Sequence, residues 1–352
     1  MFQIDNSAMI LVLSDVHLGD IYCRRDEFLK FLLIILEFRK SGKLPHLRAI
    51  VILGDFFDFA WSTIENLVWN RQFTEIYDIL QAINNKGVEI IIALGNHEIS
   101  TRGFYNIEFE DRKKRFLEKL RVNGFNYNFL NESTICQYVI LGPNSLNKTV
   151  ITLFDSIYNI NFNEYGILPS ENNKKTIILE HIKLMNKYQY LMTHGYQFEG
   201  WFKHHIFLAP IWESYVEEDM ERVLLNEIWY GLKQFNLLIT DENIEHVASE
   251  KNLDISDFSS SKIEKNLTKI DKKLAYNGRN IKNDAYFRRI PSYLKKYSLH
   301  PITHVIFGHS HEFGMKNDNN IVMINTGCWV ADKTPSYIEI FHDGDSRLRL
   351  LV

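Results

Sequence analysis

Leu53-Gly54-Asp55-Phe56-Phe57-Asp58 is the stretch that decides how this chain folds. An apolar, β-branched run from Ala49 to Leu53 leads into it and predicts a buried strand. The strand stops at a glycine and a carboxylate follows at once. A second carboxylate comes three residues later, among aromatic residues. Open α/β sheets bind ligands at the carboxyl ends of their strands, so an aspartate delivered there is placed as a ligand or a catalyst. Taken alone, Asp55 would serve equally well as the N-cap of a following helix.

The pattern recurs on both sides. Towards the N-terminus, Met9 to Leu13 predicts a strand that runs into Ser14-Asp15-Val16-His17-Leu18-Gly19, and Arg24 to Lys40 predicts a helix. Towards the C-terminus, Ile64 to Asn85 predicts a helix stopped by Gly87. Val88 to Leu94 then predicts a strand followed by Gly95-Asn96-His97-Glu98. Strands alternating with helices over short connections predict a parallel sheet. Glu108 to Val122 reads as another helix.

After Gly124 the character changes. Asn126 to Leu130, Thr134 to Leu141 and Lys148 to Phe154 predict short strands of a second sheet. Asn172 to Asn186 predicts a helix, and Tyr188 to Met192 a strand ending in Thr193-His194-Gly195. Strand signals then nearly vanish until Thr303 to Phe307, which precedes Gly308-His309-Ser310-His311. Between them, Glu213 to Phe235, Glu242 to Lys251, Ser261 to Tyr276 and Ile281 to Tyr297 are amphipathic and helical in pattern. The chain therefore divides into an α/β domain, 1–195 and 301–352, and a helical insertion, 196–300. Residues 201–250 carry 3 basic against 10 acidic side chains, and residues 251–300 carry 12 against 5. The two halves could pair, or simply present solvated faces. Ile321 to Asn325, Tyr337 to Phe341 and Arg347 to Leu351 complete the chain as strands, with Asn317 to Asn320 as a turn.

Composition narrows the class. A hydrophobic share of 45% and a charged share of 24% are those of an ordinary globular protein. The net charge of −4 provides no global field to attract nucleic acid. The greasiest segment, Phe28 to Phe38, is far below the ~20 apolar residues of a membrane span. Met9 to Leu13 is too short for the apolar part of a signal peptide. Cys23, Cys136 and Cys328 are far apart and odd in number, which suits reduced thiols in a cytoplasm.

The strand ends carry the chemistry. They deliver Asp15 and His17, Asp55 and Asp58, Asn96 and His97, His194, and His309 with His311. A lone histidine after a strand is usually an ordinary polar residue, but five strand ends offering N or O donors imply one sheet edge packed with metal ligands. Imidazole and carboxylate without thiolate suit borderline divalent ions such as manganese, iron, zinc, cobalt or nickel. The donors are too many for one tetrahedral zinc. They suffice for two ions, which at a spacing of about 3.5–4 Å need a bridging anion. Asp55, between the two groups in chain order, is the expected bridge. Asp58 and Glu98 are expected behind the ligands, orienting histidines, or else as helix caps.

Asp15-Val16-His17, Gly54-Asp55-Phe56-Phe57-Asp58, Gly95-Asn96-His97-Glu98, His194-Gly195 and Gly308-His309-Ser310-His311 together resemble the five signatures of calcineurin-like metallophosphoesterases, in order and in content. The resemblance implies a four-layer αββα sandwich of two mixed sheets, here with a large helical insertion. It implies that Asp15, His17, Asp55 and His311 hold one ion, and Asp55, Asn96, His194 and His309 the other. It implies that His97 is a catalytic histidine that binds no metal. The implied reaction is hydrolysis of a phosphodiester, pyrophosphate or phosphomonoester by a hydroxide bridging the ions. The layout is similar to the branch of UDP-2,3-diacylglucosamine pyrophosphohydrolases, from which the chain departs in length and in carrying His97 where that group carries arginine. A small-molecule or lipid-linked phosphoester is the expected substrate. A metal-dependent nuclease and a non-catalytic interaction module on the same fold are the alternatives. Arg24, Arg25 and Arg102 could bind a further phosphate. Tyr196, Trp201, His204 and His205, just past a ligand, could line a substrate pocket or belong to ordinary core packing.

Overall fold

The computed structural model describes residues 4–59, 62–99, 109–141, 177–178, 188–195, 198, 283–296, 302–331 and 333–351. The first sheet begins with β1 (Ala8–Leu13), β2 (Ala49–Leu53) and β3 (Glu89–Ala93), which run parallel as the strand–helix alternation predicts. Between them lie α1 (Arg25–Lys40), α2 (Ile64–Trp69) and α3 (Arg71–Asn84). The α4 turn (Asn96–Ile99) and α5 (Phe109–Val122) follow β3. β4 (Ile135–Cys136) adds to β3, and β11 (Ser336–Phe341) and β12 (Ser346–Leu350) add antiparallel at the other edge. The order is β12-β11-β1-β2-β3-β4.

The second sheet has the order β6-β5-β7-β8-β10-β9. Its strands are β5 (Val139–Leu141), β6 (Ile177–Ile178), β7 (Tyr190–Met192), β8 (His304–Phe307), β9 (Phe313–Asp318) and β10 (Ile321–Thr326). Both sheets are mixed. Helix α6 (Asn283–Lys296) lies against β9 and β10.

Strand periodicity builds the layers. Along β1 to β3, Leu11, Leu13, Ile50, Ile52, Ile90 and Ile92 face the helices. There they meet Phe28, Phe31, Leu32 and Ile35 of α1 and Phe73, Ile76, Tyr77 and Leu80 of α3, spaced three and four apart on one face of each helix. The intervening residues, Ile10, Val12, Val51, Leu53, Ile91 and Ala93, turn the other way. They pack on Tyr190, Met192, Ile306 and Ile324 of the second sheet. That sheet in turn sends Leu191, Val305, Phe307 and Met323 towards Tyr286, Phe287, Ile290 and Leu294 of α6. The result is helices outside each of two face-packed sheets. Each fully buried aliphatic or aromatic side chain contributes about 1.5–3 kcal/mol relative to exposure.

Several expectations are corrected. The helix expected over Ile64 to Asn85 is two helices. Asn70 adopts an extended backbone and its side chain caps Gln72 N, so the asparagine competes with the helix for its own hydrogen bonds. The run Thr134 to Leu141 does not belong to one sheet: β4 pairs with the first and β5 with the second, the chain crossing over at Gln137 and Tyr138. Asn126 to Leu130 forms turns, because Phe125 and Phe129 bury against the Tyr77 side of α3 without strand pairing. Within the expected helix Asn172 to Asn186, Ile177–Ile178 is a strand paired with Val139–Ile140, as two adjacent β-branched residues favour. β9 is an addition. It alternates between exposed and half-buried residues, so no apolar run announces it. The turn into β10 is confined to Asn319 and Asn320, both left-handed as a two-residue hairpin loop requires. Lys148 to Phe154, the rest of Asn172 to Asn186 and most of the insertion 196–300 lie outside the described residues.

Candidate metal centre

The loops after β1 and β2 run side by side beyond the sheet. Asp15 N donates to Gly54 O (3.1 Å), His17 N to Asp55 O (2.8 Å), Leu18 N to Phe56 O (2.8 Å) and Asp58 N to Leu18 O (2.8 Å). The second sheet is tied to the first at the same edge, since His309 N donates to Asp15 Oδ2 (2.9 Å). Within the second sheet, Gly308 N donates to His194 O (2.7 Å). Two glycines permit these approaches. A Cβ at Gly95 would collide with the Asp55 backbone and carboxylate, and one at Gly308 with Ser14 Oγ and Asp15 Oδ2.

Among the described residues eight non-glycine residues have positive φ, and five of them are Asp15 (54°), His17 (52°), Asp55 (50°), His309 (70°) and His311 (57°). Such conformations persist only where the surroundings over-determine them, and they concentrate at functional sites.

The structure brings Asp15, His17, Asp55, Asp58, Asn96, His97, His194, His309 and His311 together. Asp15, His17 and His311 form one group able to hold a cation, and Asp55, His194 and His309 another; His17, Asp58 and His97 form a third grouping. In the first, His17 Nε2 lies 3.1 Å from His311 Nε2 and 3.8 Å from Asp15 Oδ1, and His311 Nε2 lies 3.3 Å from Asp15 Oδ1. In the second, His194 Nε2 lies 3.2 Å from Asp55 Oδ2, 2.9 Å from Asn96 Oδ1 and 3.1 Å from His309 Nδ1. Asp55 Oδ2 is also 3.7 Å from His17 Nε2, so it lies between the two groups.

Hydrogen bonds on the far side of each ring set the tautomers. The Asp58 carboxylate accepts from His17 Nδ1 (2.7 Å), and Leu53 O accepts from His194 Nδ1 (2.7 Å). Each imidazole then aims an Nε2 lone pair at carboxylate and amide oxygens. Lone pairs facing lone pairs call for a cation or a proton between them, and Asp15 Oδ1 is buried with no hydrogen-bond partner among the described residues. The donor set therefore fits divalent ions of the borderline class. The electrostatics agree. Burial opposes ionisation of Asp55, yet His194 and His97 hold its carboxyl below the usual range. Against the same penalty, Asp55 and Asp15 push His194 up to about 9. Carboxylates that attract protons onto buried imidazoles attract a divalent cation by the same field.

A family model for calcineurin-like phosphoesterases matches residues 8–313. The chain belongs to the calcineurin-like phosphoesterase family. No curated protein matches it. Similar solved structures include an archaeal phosphodiesterase, 10% identical, covering 97% of this chain and 99% of that one at a TM-score of 0.30. A dimetal phosphatase from Danio rerio is 12% identical, covering 98% and 96% at 0.39. A Streptococcus pneumoniae protein described as a predicted phosphoesterase is 10% identical, covering 98% of both at 0.30.

Around the centre of this phosphoesterase, Asp58 is fully buried and shared by two histidines, since its Oδ1 lies 3.0 Å from His97 Nδ1. His97 and His17 hold the Asp58 carboxyl at about 2 against the pull of burial. The His97 side chain is 11% exposed and that of His311 34%, whereas His17, Asp15, Asp55 and His194 are buried. The structure does not bring Arg24 and Arg25 to it. Arg24 donates to Glu27 and to Lys333 O, and Arg25 to Asp26, Glu75 and Gln72 O. Both guanidinium groups are thus taken up by carboxylates and backbone carbonyls outside the centre. Arg102, Tyr196, Trp201, His204 and His205 lie outside the described residues.

Sequence reasoning missed Asn325. Its amide donates to Gly308 O (3.1 Å) and Ser310 Oγ (2.8 Å), and its oxygen accepts from Gly327 N (2.9 Å). It thereby holds the turn carrying His309 and His311. The available signal was an Asn-Thr-Gly ending to the apolar run of β10.

Proposed function

We propose that this phosphoesterase is a dinuclear-metal hydrolase that cleaves a phosphodiester or pyrophosphate, or a phosphomonoester, of a small or lipid-linked molecule. The observation that carries the reading is the position of Asp55 Oδ2, 3.2 Å from His194 Nε2 and 3.7 Å from His17 Nε2. In this reading Asp15, His17, Asp55 and His311 hold one ion, and Asp55, Asn96, His194 and His309 the second, manganese being the first choice. When bound, the pair would supply a water acidic enough to attack phosphorus at neutral pH and would neutralise charge on the phosphate.

The protein's own groups do the rest. Asp58 fixes the His17 ring so that Nε2 points inward, and fixes the His97 ring beside it. His97 Nε2 faces the reacting side, 3.9 Å from Asp55 Oδ2. Asp58 and Asp55 raise its proton affinity, although burial lowers it. A protonated His97 is suited to donate to a phosphate oxygen or to the leaving oxygen. Among the described residues no helix is long and apolar enough to cross a membrane. We place the reaction in the cytoplasm, where the thiols of Cys23, Cys136 and Cys328 are stable in the reduced form.

The test is purified protein with added Mn²⁺ against bis-p-nitrophenyl phosphate, p-nitrophenyl phosphate, nucleotide sugars and single-stranded DNA. Turnover of the small esters that chelation abolishes is expected. No turnover of any of them with Mn²⁺, Fe²⁺, Zn²⁺, Co²⁺ or Ni²⁺ would overturn the reading, and preference for DNA would replace it with a nuclease.

A further inference from the structure

Glu98 is fully buried and follows His97, yet its carboxylate turns to backbone. Oε2 accepts from Gly95 N (2.8 Å) and Asp55 N (2.9 Å). Oε1 accepts from Phe56 N (2.6 Å) and Phe57 N (2.9 Å). The bond to Gly95 is the capping contact of a glutamate in the first turn of a helix. The other three reach across to the loop after β2. Four N–H groups from two loops thus converge on one carboxyl group, and their dipoles favour the ionised form that burial and the neighbouring Asp55 charge oppose.

These three bonds fall on the turn that aims the bridging aspartate. Asp55 is left-handed, with φ of 50°, and Phe56 and Phe57 lie beyond the end of β2, where their N–H groups donate to Glu98 instead of to a neighbouring strand. From the same turn as Glu98, His97 N donates to Asp55 Oδ1 (2.9 Å), leaving Oδ2 to face the two donor groups. Rotating the turn would carry Oδ2 away from one group or the other.

We propose that Glu98 is a positioning residue for Asp55, fixing the turn so that one carboxylate oxygen serves both metal positions. The proposal rests on the dinuclear reading above. Glutamine at this position keeps the shape but offers one accepting oxygen and one amide donor, so one pair of N–H groups would face another donor. Aspartate keeps both acceptors on a shorter arm.

The experiment compares the full chain with Glu98→Gln and Glu98→Asp by Mn²⁺ titration, by electron paramagnetic resonance of the bound Mn²⁺, and by turnover of bis-p-nitrophenyl phosphate. Circular dichroism monitors the fold. In Glu98→Gln the expected result is a folded protein that binds the weaker Mn²⁺ about 10–100-fold less tightly, the range for partners behind a ligand. Its exchange-coupled two-manganese signal is diminished, and kcat falls more than KM rises. Glu98→Asp is expected to lie between it and the parent. Parent-like affinity and coupling in a folded Glu98→Gln would overturn the proposal. So would loss of the fold in both variants, which would make Glu98 part of the scaffold alone. If only Glu98→Gln fails to fold, the same readouts on Glu98→Asp decide, and parent-like values there overturn it. A parent protein that neither couples two Mn²⁺ nor hydrolyses the ester instead removes the dinuclear reading itself.

Discussion

Replacing Asp58 by asparagine probes the centre through a residue that is not itself among the proposed ligands. The Asp58 carboxylate is ionised, fully buried, and divided between His17 Nδ1 at 2.7 Å and His97 Nδ1 at 3.0 Å. An amide keeps one acceptor, so one ring must face an N–H group and lose its anchored tautomer. A hydrogen bond to a charged group contributes about 1.5–3 kcal/mol. At 1.36 kcal/mol per factor of ten, losing one corresponds to roughly 10- to 100-fold. The shorter bond, to His17, is expected to keep the oxygen. The deficit should then fall on His97 and appear in kcat, with Mn²⁺ binding close to the parent's. The assay is turnover of bis-p-nitrophenyl phosphate at saturating Mn²⁺, alongside calorimetric titration of the metal. If the oxygen stays on His97 instead, the loss moves to metal affinity and excess Mn²⁺ restores the rate. An Asp58→Asn protein that matches the parent in both rate and affinity would refute the argument that this carboxylate sets the two rings.

Asn96→Ala removes the oxygen 2.9 Å from His194 Nε2 and should cut bound Mn²⁺ from two to one with loss of most activity; full activity would show that the ligand assignment is wrong. His97→Ala should slow turnover by ~10²–10⁴ while both ions stay bound, the usual range for an acid–base group, whereas loss of metal would make His97 a ligand. Gly308→Ala would drive a methyl into Ser14 and Asp15 and should lower the melting temperature together with activity, overpacking costing about 1–3 kcal/mol; an unshifted melt would show the turn to be pliable. His304, at the start of β8, stacks on Tyr190 at 4.3 Å, and burial lowers its pKa to about 4, below the ordinary 6.5. Above 6.5 both folded and unfolded chains leave it neutral; between 6.5 and 4 only the unfolded chain takes the proton, so stability is lost as pH falls. The parent should lose about 2–3 kcal/mol of stability relative to His304→Phe from pH 7 to pH 4 in urea melts, and an unchanged difference would contradict a buried neutral ring.

What was legible in the sequence was local. Apolar β-branched runs mark β1, β2, β3 and β8 because strand burial on both faces needs no alternation, and the polar residues after each run stand out against it. That contrast nominates Asp15, His17, Asp55, Asn96, His194, His309 and His311, which the structure gathers at one edge. What was not legible depends on partners. β9 exists because β10 offers it an edge, and Ile177–Ile178 is extended because β5 does. Thr134 to Leu141 splits between sheets for a reason visible only once both sheets are present. Arg24 and Arg25 follow a motif closely in sequence, but Glu27, Asp26 and Glu75 claim their guanidinium groups. Nothing in the order Gly-Asn-His-Glu says that the glutamate will reach three N–H groups across from it on the β2 loop.

The five left-handed residues of the centre limit which residue types its turns accept. A β-branched or bulky side chain is a steric outlier at φ near +50°, whereas Asp, Asn and His enter this region several-fold more readily. The side chains that tolerate the turn are therefore of the same kinds that coordinate borderline divalent ions. At Asp15, His17, Asp55, His309 and His311 the backbone and the chemistry impose one choice. A residue kept there for conformation alone could be asparagine or glycine, and one kept for coordination alone could sit on ordinary strand backbone. Aspartate and histidine at all five, with the carboxylate of Asp55 aimed between two groups of imidazoles, satisfy both conditions at once. Chance composition of the three separate loops that carry them has no reason to produce that coincidence.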